Sequence, residues 1–175
     1  MKKHPFLELD YHSSVKLSGA EKKQLDKWLG MTGGVLQYLV EKKIIPGKKI
    51  SGLKISLLIC GDARMRGLNL EHRNKNKVTD VLSFPAHENL RFNQPHQGEL
   101  FLGDLAICHQ QAKRQAKSFD ISYFDEFIHL FFHGVIHLLG YDHELGDKDE
   151  KLMQKWEKLA LEKFSEIKKG PKLGP

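Results

Sequence analysis

The stretch that decides the fold runs Phe127-Ile128-His129-Leu130-Phe131-Phe132-His133-Gly134-Val135-Ile136-His137-Leu138-Leu139-Gly140-Tyr141-Asp142-His143. Its apolar residues fall on nearly every side of a helical wheel, the pattern of a helix buried at the centre of a domain. Ser122 followed by Asp125 supplies an N-terminal cap, and Gly140 supplies the stop. His133 and His137 are four residues apart, so their rings project from one face, one turn apart. Gly140 tolerates left-handed backbone, which lets the chain reverse and return His143 toward the same point.

Two imidazoles at this spacing can share one cation, and a third completes a set of three nitrogen donors. The pattern His133-x-x-x-His137-x-x-Gly140-x-x-His143 has the ligand spacing of metzincin metalloproteases. Three protein ligands leave the fourth position of a tetrahedral ion to solvent, the arrangement of catalytic rather than structural zinc. One zinc ion per chain, held by His133, His137 and His143, is therefore the expectation. The alternative is that these histidines pack or cap. Neutral buried imidazoles on so apolar a helix would then each need a hydrogen-bond partner, and the metal accounts better for all three. Where a metzincin carries its general-base glutamate, this chain has Gly134, so peptide hydrolysis by that route is disfavoured. His129 extends the stripe by one turn and either lines the cleft or packs. Asp142 and Glu144 either orient a histidine, handle a proton or stand as solvated turn residues.

Working outward, Ser18 with Glu21 is a capping box opening an amphipathic helix through Leu25, Trp28, Leu29, Val35, Leu36 and Leu39. Gly30, Gly33 and Gly34 are placed to break it in two. Leu53 to Cys60, Thr79 to Phe84 and Glu99 to Ile107 read as three inner strands. Asp62 caps a helix reaching about Arg73, and a basic helix lies near His109 to Lys117. Asp147 with Glu150 caps the last helix, whose inner face carries Leu152, Met153, Trp156, Leu159, Ala160 and Phe164. Strands interleaved with helices give an α/β (α+β) domain built on one small sheet. That single domain is expected over residues 1–167, with a flexible basic tail at 168–175.

The 175 residues suit one domain with a core of its own, and 40% apolar with 29% charged residues is an ordinary globular balance. Cys60 and Cys108 form no C-x-x-C pair, which argues against a disulfide framework and for a reducing compartment. The N-terminus shows no signal-peptide pattern. The apolar run Phe127 to Gly140 is interrupted by three histidines and too short for a bilayer, so no membrane association and a cytoplasmic location are expected. A net charge of +6 favours polyanionic partners.

With these segments assembled, the chain resembles the YbeY family of bacterial endoribonucleases. The carrying residues are Leu68-Asn69 with Arg73, Thr79-Asp80-Val81-Leu82-Ser83-Phe84-Pro85, Gly98-Glu99-Leu100 with Leu102-Gly103-Asp104, and His133 through His143, joined by Met153 and Glu157. Val78 and His72 depart from the family, which usually has proline and an aromatic residue there. In that family Gly134 is a shared trait. The resemblance implies a zincin-like fold, a small mixed sheet packed against a central metal-bearing helix. It also implies cleavage of single-stranded RNA, with ribosomal RNA maturation at the 16S 3′ end and ribosome quality control as the setting. Small ribosomal subunit proteins and an assembly GTPase are the implied partners, and Arg73 is implied to matter for activity.

Physical chemistry gives Arg73 a matching role, since a guanidinium binds phosphate oxygens bidentately and stabilises growing negative charge. Asn69, one turn earlier, either orients it or caps locally. Lys113, Arg114 and Lys117 either line an RNA path or form a solvated face. Two rivals make distinct demands. A metalloprotease needs a base that Gly134 cannot supply. A non-catalytic assembly factor needs a closed metal site, with a fourth ligand such as Asp142 or His87.

Overall fold

In the computed structural model, residues 4, 6–45, 49–87, 90, 97–142 and 146–170 are described. In chain order they form β1 (Leu7–Ser13), α1 (Gly19–Glu41), β2 (Lys49–Cys60), α2 (Asp62–Arg73), β3 (Val81–Pro85), β4 (Gln97–Cys108), α3 (His109–Ser118), α4 (Tyr123–Leu138) and α5 (Asp147–Lys169). The four strands make one sheet in the order β1-β2-β4-β3. β1, β2 and β4 run parallel, and β3 pairs antiparallel with β4. The small mixed sheet is therefore present, with α4 packed on it.

Alternation along the strands sets the two faces. Leu53, Ile55, Leu57 and Ile59 of β2 join Leu105 and Ile107 of β4 in the main core, against α1, α4 and α5. Cys60, Ala106, Cys108 and Leu82 point the other way and are covered by Met65 and Leu68 of α2. The register between β2 and β4 slips after Lys54, which pairs with Phe101 while Ile55 pairs with Gly103. The extra residue keeps Leu100 and Leu102 on the same buried side as Leu105 and Ile107.

Several expectations need correction. β1 was not foreseen, although Leu7 and Leu9 are buried and alternate with exposed Glu8 and Asp10. β3 is an edge strand, not an inner one, and begins at Val81. α1 runs unbroken through Gly30, Gly33 and Gly34. A glycine costs about 1 kcal/mol of helix propensity. Burial of Leu25, Trp28, Leu29, Val35, Leu36 and Leu39 along the helix outweighs that. Asp62 and Asp147 do not cap: each is the first helical residue, behind Gly61 and Gly146, and neither helix has a side-chain cap bond. Ser18 and Ser122 do cap as the sequence predicts, the first with a complete capping box. α5 extends through Lys169, and Lys168 pairs with Asp125 and lies over the Trp28 ring at 4.0 Å. No helix among the described residues is long and apolar enough to cross a membrane.

Candidate functional site

α4 carries the histidine stripe. The His133 and His137 ring centroids are 4.7 Å apart, and those of His129 and His133 are 6.4 Å apart. The helix ends as its glycine requires: Gly140 has φ 89°, its N–H donates to His137, and the Tyr141 N–H reaches back to the Ile136 carbonyl. These two bonds are a Schellman cap, which turns the chain sharply after Leu139. His143 and Glu144, which follow that turn, lie outside the described residues.

From α5, Glu157 Oε1 lies 2.6 Å from His133 Nδ1. A carboxylate accepts only, so Nδ1 donates and the ring's lone pair sits at Nε2. Burial pushes the Glu157 carboxyl up, but the hydrogen bond from His133 and the electrostatic pull of the surrounding histidine rings outweigh it. The carboxyl is held below its ordinary range and is ionised.

Opposite α4 stands the end of α2. Asn74 closes the helix in left-handed backbone at φ 53°. Buried Asn69 then grips the following loop twice: its carbonyl accepts from the Lys75 N–H at 3.1 Å, and its Nδ2 donates to the Lys77 carbonyl at 2.8 Å. Asp80, at the entry to β3, accepts from the Val81 N–H at 2.8 Å and from Gln115 of α3 at 2.7 Å. These elements enclose a cleft of about 290 Å³ whose lining includes Arg73, Lys75, Lys77, Asp80, His133 and His137, together with Asn69, Ser83 and Asp142. Arg73 and two of the three expected ligands thus face one cavity. His87 is not in its lining, and His129 borders a separate groove with Ile121 and Phe164.

Among the described residues no three His, Cys, Asp or Glu side chains gather as a complete metal site; what is present is a pair of imidazoles whose chemistry is compatible with zinc. Two imidazoles stand one turn apart, and the one bonded to Glu157 presents its Nε2 lone pair as a neutral nitrogen ligand. Position 134, where a metzincin holds its glutamate, is pressed against the sheet: a Cβ there would stand 2.8 Å from Leu105 and 3.2 Å from Val81. Glycine sends no side chain into the cleft from that position, so the base of a metzincin protease is missing there.

Two of the three cations of the basic helix are engaged in exposed ion pairs and stand outside the lining of the cleft. Lys113 pairs with Glu21 at 2.7 Å, and Arg114 chelates Asp62 through bonds of 2.9 and 2.8 Å. The cations that do line the cleft, Lys75 and Lys77, were missed, though Arg73-Asn74-Lys75-Asn76-Lys77 is a legible basic run. Glu157 was noticed only as part of a pattern, because no spacing rule links α5 to α4.

Comparison with known proteins gives a consistent picture. The family model for "Endoribonuclease YbeY" matches residues 17–165. Endoribonuclease YbeY of Thermodesulfovibrio yellowstonii is 41% identical over 132 residues, covering 73% of this chain and 80% of that protein. That of Persephonella marina is 38% identical over 131 residues, covering 74% and 83%. The solution structure of TM1509 from Thermotoga maritima superposes with a TM-score of 0.58 at 23% identity, over 96% of this chain and 97% of that one. The last of these is a likeness of fold.

Proposed function

The chain belongs to the YbeY endoribonuclease family, and on that premise we propose that it cleaves single-stranded RNA, ribosomal RNA above all, in the cleft between Arg73 and the α4 histidines. The observation that carries the proposal is the meeting of Arg73, Lys75 and Lys77 with His133 and His137 around one cavity. Three cations in a confined space attract a phosphodiester backbone. The volume of about 290 Å³ suits a nucleotide unit and not a paired duplex, which favours a single strand.

Each group has a task. Arg73 clamps two phosphate oxygens and stabilises the charge that grows on them. Lys75 and Lys77, as point charges on the Asn69-pinned loop, hold the flanking backbone. His133 and His137, with His143, would hold a zinc ion, and bound there it supplies Lewis acidity toward the phosphodiester. The setting belongs to the same proposal: cytoplasmic maturation of the 16S 3′ end and ribosome quality control, with small-subunit ribosomal proteins and an assembly GTPase as partners. Family kinship and the net charge of +6 support it.

The test pairs metal analysis with cleavage of a single-stranded RNA by wild type, His143→Ala and Arg73→Ala. The expected result is zinc loss in His143→Ala, and retained zinc with lost cleavage in Arg73→Ala. Equal cleavage by all three in contaminant-free preparations would sink the proposal.

A further inference from the structure

We propose that Glu157 is the positioning residue for His133: from α5 it fixes the proton on Nδ1 and turns Nε2 toward the cleft as a metal ligand. The inference rests on the metal-dependent cleavage proposed above and deepens it. The contact is short, 2.6 Å, and only partly open to solvent, the two side chains keeping 26% and 19% of their exposure. At that length it is a charge-assisted bond. It reaches the ring on the nitrogen away from the one assigned to the ion, while His133 itself lines the cleft beside His137. A carboxylate so placed fixes the ring plane and the tautomer and raises the basicity of the opposite nitrogen. An imidazole without such a partner divides its proton between two nitrogens.

The rival explanation is mechanical, a tie that merely holds α5 on α4. α5 is already anchored by buried Met153, Trp156, Ala160 and Phe164, so the helix does not depend on this bond for its seat. The two explanations part at Glu157→Gln. That side chain keeps the shape and an accepting oxygen, so a tie survives, but it loses the negative charge that strengthens the opposite nitrogen.

The experiment uses the full chain. Zinc affinity is measured by chelator competition for wild type, Glu157→Gln and Glu157→Ala, alongside side-chain ¹⁵N NMR of His133. The expected result is zinc binding weakened about 10-fold in Glu157→Gln and up to about 100-fold in Glu157→Ala. In wild type the His133 proton should lie on Nδ1, and in Glu157→Ala it should be shared between the nitrogens. Unchanged affinity in both variants, or a wild-type proton on Nε2, overturns the proposal. If Glu157→Ala fails to fold, the Glu157→Gln affinity decides. A wild type that binds no zinc overturns both readings, whereas one that binds zinc with the expected Glu157 dependence but cleaves no RNA defeats the proposed cleavage and leaves the positioning role standing.

Discussion

Gly134 lies so close to Leu105 that a Cβ on it would stand 2.8 Å from Leu105 Cδ2, with Val81 Cγ2 at 3.2 Å. The helix bearing His133 and His137 is therefore seated on the sheet through the residue between them. Gly134→Ala gains helix propensity, but its Cβ meets the methyl ends of Leu105 and Val81, which must shift within a packed core. Overpacking of this kind costs about 1–3 kcal/mol. Denaturant unfolding should show that loss, and on the proposed function zinc affinity should fall with it wherever the strain reaches the turn that carries His133 and His137. A Gly134→Ala chain as stable as wild type would show that the sheet yields freely there.

Asn69 offers a second test, because it is buried and bonded to the loop that carries the cleft's lysines. Asn69→Ala leaves the Lys77 carbonyl without its donor and frees the loop. Lys77 is exposed, so water can take the donor's place, and the net loss is that of one ordinary hydrogen bond, about 0.5–1.5 kcal/mol. Cleavage kinetics should show KM for RNA rising several-fold, with zinc content unchanged. A lowered zinc content with normal KM would place Asn69 in the support of the metal site instead.

How far the sequence led follows from what kind of signal each feature leaves. α4 and its glycine stop are written in local periodicity and one residue's backbone freedom, so both were legible before any coordinates. The approach of Arg73 to the histidines was legible only through family likeness, since it depends on how α2 and α4 flank β3. β1 left a weak signal, because its alternation fades after Tyr11 and a parallel partner, β2, lies far along the chain. The glycines of α1 suggested a break that tertiary burial overrode. The parts played by Lys113 and Arg114 turned on acidic partners, Glu21 and Asp62, that no local pattern connects to them.

Cys60 and Cys108 face each other in register on β2 and β4, and both are buried. Burial pushes the Cys60 thiol up to about 11 and the Cys108 thiol up to about 12, with the Asp62 carboxylate adding to both. Thiolate is the reactive form. Neither cysteine should therefore react with a thiol reagent such as Ellman's at pH 8 in the folded chain, and both should react fully in denaturant. Fast labelling of the native protein would contradict that burial.

The bond between Glu21 and Lys113 makes stability depend on acid in a way that can be isolated. Glu21 closes the α1 capping box by accepting the Ser18 N–H at 2.9 Å, and its other oxygen takes Lys113 of α3 at 2.7 Å. The Lys113 hydrogen bond, with the Ser18 bonds behind it, lowers the carboxyl from its ordinary 4.5 to about 2. A carboxyl depressed on folding stabilises the folded state above its unfolded value and loses that contribution as pH falls through the folded one. The window is thus from about 4.5 down to about 2. The pair is partly solvated, so its share is capped at about 1 kcal/mol. Urea unfolding of wild type and Glu21→Gln at pH 7 should show wild type ahead by up to that amount, and at pH 2 to 3 the gap should close. Moderate salt should narrow it at pH 7, as expected for a partly exposed charge pair. A gap of equal size at both pH values would mean that Glu21 acts through packing or the cap alone, with its charge contributing nothing.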